Sequence, residues 1–180
     1  MLQLFLGSEK TYSGCRTELS GTESSFGADV GYLGQGSRHF DMNYVAVHKG
    51  KRTESRMDVS GVLEDGSSKL FRGTIDFQTG SGGSRGDEKE DVLLLGDEVV
   101  NQTIPLILCS EEDVEGNHGA AIGRLDEELL FYLCSRGLSE AQASSMVLRA
   151  RMDALSSRIG DGPTQKLVQD YLQEVTGDGK

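Results

Sequence analysis

The stretch "SGVLEDGSSKLFRGTIDFQTG", Ser60 to Gly80, decides how most of the chain is read. Apolar and polar residues alternate in two bursts, and "EDGSS" and "QTG" close them. A period of two suits a strand with one buried face. Gly, Asp and Ser supply the positive φ or the side-chain closure that a tight turn needs. The pattern spreads outwards through "LQLFL", "MNYVAV", "RMDVSGVL", "DVLLL" and "IPLILC", with Pro105 the only proline before Ile122. No 3.6-residue period interrupts it, so residues 1–122 are predicted to be β. The residues alone leave the stacking open. A β-sandwich, a jelly roll and a parallel β-helix all fit, and in the last each burst would form one side of a coil.

One segment breaks the pattern. "TGSGGSRGDEKED", Thr79 to Asp91, is rich in glycine and charge and has no apolar anchor, so a mobile surface loop is expected. Its Arg85–Gly86–Asp87 tripeptide reads as coincidence. "GSGGSRG" is no phosphate loop, because no Gly-Lys-Ser/Thr follows it.

From residue 123 to 180 the period changes to that of helices. Asp126 is placed to cap a helix with Glu127 and Glu128 in its first turn, and Gly137 is placed to end it. Ser139 and Gln142 have the spacing of a capping box opening a second helix. Ala143, Met146, Val147, Ala150 and Ala154 are expected to form its apolar stripe. Pro163 suits the first turn of a third helix, and Leu167, Val168, Tyr171, Leu172 and Val175 form one apolar face of it.

Net charge is −11 and the pI about 4.7. Binding to nucleic acid or to an anionic membrane needs a basic surface, so both are excluded as main partners. Cys15, Cys109 and Cys134 are widely spaced, with no CxxC. Neither a disulfide framework nor a zinc ribbon fits, and a reducing cytoplasm is the expected compartment. No apolar run approaches the ~20 residues of a membrane span. "MLQLFLG" lacks a basic n-region and a cleavage pattern and reads as a strand. Its abrupt start suggests that Met1 is a boundary within a longer protein.

Catalytic signatures are lacking. There is no G-x-S-x-G and no H-E-x-x-H, and the acidic pairs at Glu111–Asp113 and Asp126–Glu128 read as solvated faces and helix starts. A non-enzymatic role is expected. His39 and His48 fall on polar strand faces. His118 lies in "GNHGAA", read as a loop of small residues, where it is either a solvated loop histidine or a metal ligand. Cys109 reads as a buried thiol, Cys134 as packed on a helix, and Cys15 as part of a turn. A carbohydrate-binding or carbohydrate-active β-helix is the alternative class. Six Phe, five Tyr and no Trp make a sugar groove unattractive.

Two longer segments carry a resemblance. "DVEGNHGAAIGRLDEELLFYLCSRGLSEAQA", Asp113 to Ala143, resembles the C-terminal part of the SufB/SufD family, scaffold proteins of the SUF iron–sulfur cluster assembly system. The family pattern there is D-V-x-C-S-H-G-A-T-x-G-x-L-D-E-E-x-L-F-Y-L-x-S-R-G-I. "VAVHKGKRTESRMDVSGVLEDGSSKLFRGTI", Val45 to Ile75, is similar to the family's H-x-G-x-x-T-x-S segment and the strand after it. The resemblance implies a right-handed parallel β-helix over residues 1–122, followed by a small C-terminal α-helical domain over 123–180. The N-terminal helical region of many members has no counterpart here, so the resemblance points to a C-terminal portion.

The resemblance also implies partners and a site. The helical domain would dock a SufC-type ATPase, with Leu130, Phe131, Leu167 and Tyr171 forming or supporting the surface. The β-helix would pair end to end with a SufB-type subunit or with a second copy. His118 would be a cluster-site ligand. Two departures make the chain SufD-like: the family cysteine two residues before that histidine is Gly116, and the SufB cysteine position in "KEDVLLLGD" holds Glu90, a lesser ligand candidate. The isolated chain would bind no cofactor stably, and a transient iron–sulfur cluster would need a partner's thiolates.

Overall fold

The computed structural model describes residues 1–176. In chain order these form β1 (Leu2–Phe5), β2 (Lys10–Leu19), β3 (Ser25–Gly34), β4 (His39–His48), β5 (Glu54–Glu64), β6 (Ser68–Phe77), β7 (Ser84–Leu95), β8 (Val100–Cys109) and β9 (Val114–Arg124). Helices α1 (Glu127–Ser135), α2 (Glu140–Ser156) and α3 (Gly162–Thr176) follow. Odd-numbered strands make one sheet, β1-β3-β5-β7-β9, and even-numbered strands the other, β2-β4-β6-β8. Every pairing is parallel, and partners lie 27 to 32 positions apart, as with Leu2 and Asp29 or Ser68 and Val100. The chain therefore climbs from one sheet to the other and back, a β-solenoid of about four turns, and the parallel β-helix expected from the resemblance is the fold.

The register explains the alternation. Strands stacked in register put residues of one parity into the interior at every level. Tyr32, Phe40, Met42, Tyr44, Phe71 and Phe77 are 0–1% exposed there. Each contributes about 1.5–3 kcal/mol by burial. Gly61 makes room for this packing, since a Cβ there would strike the Tyr32 ring.

The H-x-G-x-x-T-x-S segment has a structural meaning. His48 ends β4 fully buried, correcting the expectation of a polar strand face. Its Nδ1 is 2.7 Å from Thr53 Oγ1, its Nε2 is 2.9 Å from Ser55 Oγ, and its ring lies 4.6 Å from that of Phe77. Thr53 Oγ1 is in turn 2.8 Å from Ser84 Oγ at the next level. Burial pushes the His48 pKa down. The ring is thus a neutral staple at a coil corner.

Other expectations are corrected. The segment Thr79–Asp91 is no loop beyond Gly83: Ser84 to Asp91 lie in β7. Its inward residues are Gly86, Glu88 and Glu90, so the apolar signal of a strand is absent although the backbone ladder to β5 is complete. Likewise "GNHGAA" lies in β9, whose small residues hide the alternation. Cys15 lies in β2 against the core, not in a turn. Cys109 is exposed, because β8 is an edge strand of its sheet. Pro105, which lacks an N–H, is tolerated for the same reason.

The helices follow their predicted caps. Asp126 accepts from the Leu129 N–H, Ser139 and Gln142 form the capping box, and Gly137 has φ +98°. The face of α2 differs from expectation. Ala143 is buried and Val147 packs at the edge of the core, but the main contacts are Leu148, Met152 and Leu155, and Met146 is 46% exposed. Those three pack with Leu172 of α3 onto Leu33, Val62 and Leu93, on the outer face of the odd-strand sheet. Arg158 with Asp29, and Arg151 with Asp91 at 2.7 Å, bridge helices and sheet.

Candidate functional site

Charged side chains enter the interior near the C-terminal end of the solenoid. Lys69 of β6, Glu88 and Glu90 of β7 and Thr103 of β8 all face inward. Lys69 and Glu90 are 1% exposed and form an ion pair. The Thr103 hydroxyl accepts from Lys69 Nζ at 2.9 Å and donates to Glu90 Oε2 at 2.6 Å, closing a triangle. The ammonium also lies 5.8 Å from the Phe71 ring centroid. Burial pushes the Lys69 pKa down, against the opposing pull of Glu90.

Glu88 is different. It is 5% exposed, and neither a hydrogen bond nor an ion pair holds its carboxylate among the described residues. Its side chain lies against Gly73, where any Cβ would strike it. Burial, then the nearby Glu90 charge, raise its pKa to about 7, while Lys69 pulls the other way. Deeper in, the buried Tyr32 hydroxyl has no partner, and burial with the charges of Glu90 and Asp91 pushes its pKa well up.

His118 stands one level further along, on β9, in register with Glu88. Parallel partners share a face, so His118 carries the parity of the interior positions. Among the described residues no strand lies beyond β9, and His118 is exposed. The histidine side-chain hydrogen bonds found among the described residues belong to His39 and His48. The other inward residues around His118 are Gly116 and Ala120, which leave the imidazole accessible.

Of the two ligand candidates, the register brings both to the last two levels of one end, Glu90 beside Ala120 and His118 beside Glu88. Glu90 is already engaged by Lys69 and Thr103. No group of three or more His, Cys, Asp or Glu side chains that could hold a metal ion is formed among the described residues. Imidazole and carboxylate donors suit iron, but a thiolate-bound cluster needs sulfur ligands from elsewhere.

The helical candidates divide. Phe131 and Leu167 are 76% and 70% exposed. Leu130 and Tyr171 are half-buried, and the Tyr171 hydroxyl donates to the Leu6 carbonyl at 2.8 Å, tying α3 to the first coil. Sequence reasoning missed three features. Glu88 was hidden in the supposed loop. Lys69, next to a turn, carries no sequence signal that separates it from a solvated lysine. Val100, Ile104, Leu106 and Leu108 form an exposed apolar row on the outer face of β8, visible in retrospect as alternation that a buried strand would also show.

Residues 1–151 match the family described as SUF system FeS cluster assembly, SufBD core domain. The chain is 29% identical over 116 residues to the iron–sulfur cluster assembly protein SufD of Bacillus subtilis, covering 64% of this chain and 26% of that one. An iron–sulfur cluster assembly SufBD family protein of Mycobacterium leprae is 32% identical over 130 residues, 72% of this chain and 15% of the relative. A SufBD family protein of Staphylococcus saprophyticus is 28% identical over 172 residues, 94% of this chain and 35% of the relative. The chain thus spans between 15% and 35% of the length of these relatives.

Proposed function

From a chain that belongs to the SufBD family of iron–sulfur cluster assembly proteins, we propose a SufD-like scaffold subunit, non-enzymatic and cytoplasmic, that works with a SufC-type ATPase and a SufB-type partner or a second copy. The family match replaces the carbohydrate reading, which rested on strand pattern alone. No helix among the described residues is long and apolar enough to cross a membrane.

One observation carries the proposal: the end of the solenoid presents an exposed imidazole on a face whose other levels are covered. The interior position where the SufB cysteine is expected holds Glu90, neutralised by Lys69. The chain therefore supplies the His118 imidazole, and the partner supplies thiolates. The unpaired edges of β8 and β9 and the apolar outer row of β8 favour an end-to-end partner. Phe131 and Leu167 favour a partner on the helices, where ATP hydrolysis belongs to the ATPase. The isolated chain is expected to hold no cluster, and the transient cluster is cargo of the assembly.

Reconstitution tests this reading. His118→Ala is expected to melt within about 0.5 kcal/mol of wild type, as for an exposed side chain without bonds. It should nevertheless lower cluster yield when SufB-type and SufC-type partners are present. Normal yield in that assay removes the ligand role of His118.

A further inference from the structure

We infer that Glu88 is a second protein ligand at this site: Glu88 and His118 together bind one divalent first-row cation, Fe²⁺ in the cell, at the mouth of the solenoid. The identification of the metal as iron rests on the scaffold reading above; the two-ligand site rests on geometry alone.

Four observations converge. First, Glu88 and His118 are in-register partners on adjacent parallel strands, on the same face of the sheet. Such neighbours stand about 4.8 Å apart along the stack, close enough for a carboxylate and an imidazole to meet on one ion. Second, Glu88 is 5% exposed, and no hydrogen bond or ion pair among the described residues engages its carboxylate, so both oxygens are available to an ion. An ionised carboxylate with so little access to water is unfavourable, and a cation beside it offsets that cost. Third, the neighbouring ammonium cannot serve. Lys69 is committed to Glu90 and Thr103, and two carboxylates facing one ammonium leave a negative charge unmatched. Fourth, the surroundings are built small. Gly73 admits the carboxylate on one side, and Gly116 and Ala120 flank the imidazole on the other.

The donor pair selects the class of ion. One imidazole nitrogen and one carboxylate oxygen suit borderline divalent metals such as Fe²⁺ and disfavour Cu⁺, which prefers sulfur. Two protein ligands leave several coordination positions to water and to groups from whatever covers the last coil, so binding in the isolated chain is weak and reversible. The carboxylate sits one level further in than the imidazole, so the ion is held at the rim of the interior and open on the side away from β7.

Titration of the chain with Co²⁺, read by its visible d–d absorption, tests the site. Wild type is expected to bind one Co²⁺. Glu88→Gln and His118→Ala should each weaken that binding at least tenfold, and the double variant should be no worse than the weaker single one. His39→Ala should change nothing. Wild-type affinity in Glu88→Gln, or no specific Co²⁺ binding by wild type, overturns the inference. So does a lower melting temperature for Glu88→Gln, which would make the carboxylate structural. Partner reconstitution separates the two readings. If His118→Ala fails to build clusters while Glu88→Gln binds Co²⁺ normally, the scaffold role stands and Glu88 falls. If both variants lose Co²⁺ yet build clusters at full yield, the metal site stands and the scaffold role of His118 falls.

Discussion

The middle coils and the last coil share one register but end differently. In β3 to β7 the inward positions hold Ala28, Tyr32, Met42, Met57, Phe71 and Ile75, all covered by the level above. In β9 they hold His118 and Ala120, which are exposed, and Ile122, 45% exposed. A solenoid side chain is buried by its neighbours along the stack, so exposure at the end reflects the missing next level and not a polar strand. The polar residues Lys69, Glu88, Glu90 and Thr103 gather in the two levels next to that opening.

Substitutions can break or sharpen this contrast. Phe71→Ala, in a covered level, should cost about 3–5 kcal/mol in urea unfolding, while Ile104→Ala on the outer row of β8 should cost less than about 1 kcal/mol. Comparable costs at both positions would mean that the last coil is covered in solution. Lys69→Met should cost about 3 kcal/mol, because it strands Glu90 inside. The double variant Lys69→Met/Glu90→Leu should recover most of that loss, and no recovery would mean that the triangle with Thr103 matters for more than charge.

Glu88 should show itself through pH. Its carboxyl is raised from 4.5 to about 7 in the folded chain, by burial and by the Glu90 charge against the pull of Lys69, with His118 in register on the next strand. Below pH 4.5 it is protonated whether folded or unfolded and costs nothing by ionising. Between pH 4.5 and 7 the folded state holds the proton more tightly, so its contribution falls as pH rises, and the loss is complete above 7. Glu88→Gln should therefore stabilise by about 3 kcal/mol at pH 8 and by nothing near pH 4.5, in metal-free urea melts. A pH-independent gain would assign the effect to packing.

The smallest stability effect belongs to the helices. Phe131→Asp and Leu167→Asp should each change unfolding free energy by less than about 0.5 kcal/mol. Both should abolish binding of the SufC-type ATPase in a pull-down. Retained binding by the pair would move the docking surface elsewhere.

Much of this was legible in the chain. β6 announces its strand because inward Phe71, Ile75 and Phe77 alternate with Arg72, Thr74 and Asp76, and the helix caps at Asp126 and Ser139 are local chemistry. β7 and β9 were not legible, because their inward places hold Gly86, Glu88, Glu90, Gly116 and His118, and the ladder to the previous strand does the work that apolar contrast does elsewhere. The α2 stripe was misphased for another reason: small alanines gave a weak pattern, and packing onto Leu33 and Val62 chose Leu148, Met152 and Leu155. His118 stood out by its small neighbours, and the resemblance supplied its ligand role. Glu88 was invisible without the register that places it beside His118.

The free edge of β9 makes identity a matter of phase. A strand that extends this sheet inherits its parity, so every second side chain of the newcomer stands beside His118, Ala120 or Ile122, and the rest face outward. Slipping that strand by one residue would exchange the two sets completely. A thiol one place out of step would lie on the outer wall, its sequence unaltered and its chemistry gone. Which donors share an ion with this chain is therefore written less in the composition of a newcomer than in whether its count from the edge is odd or even.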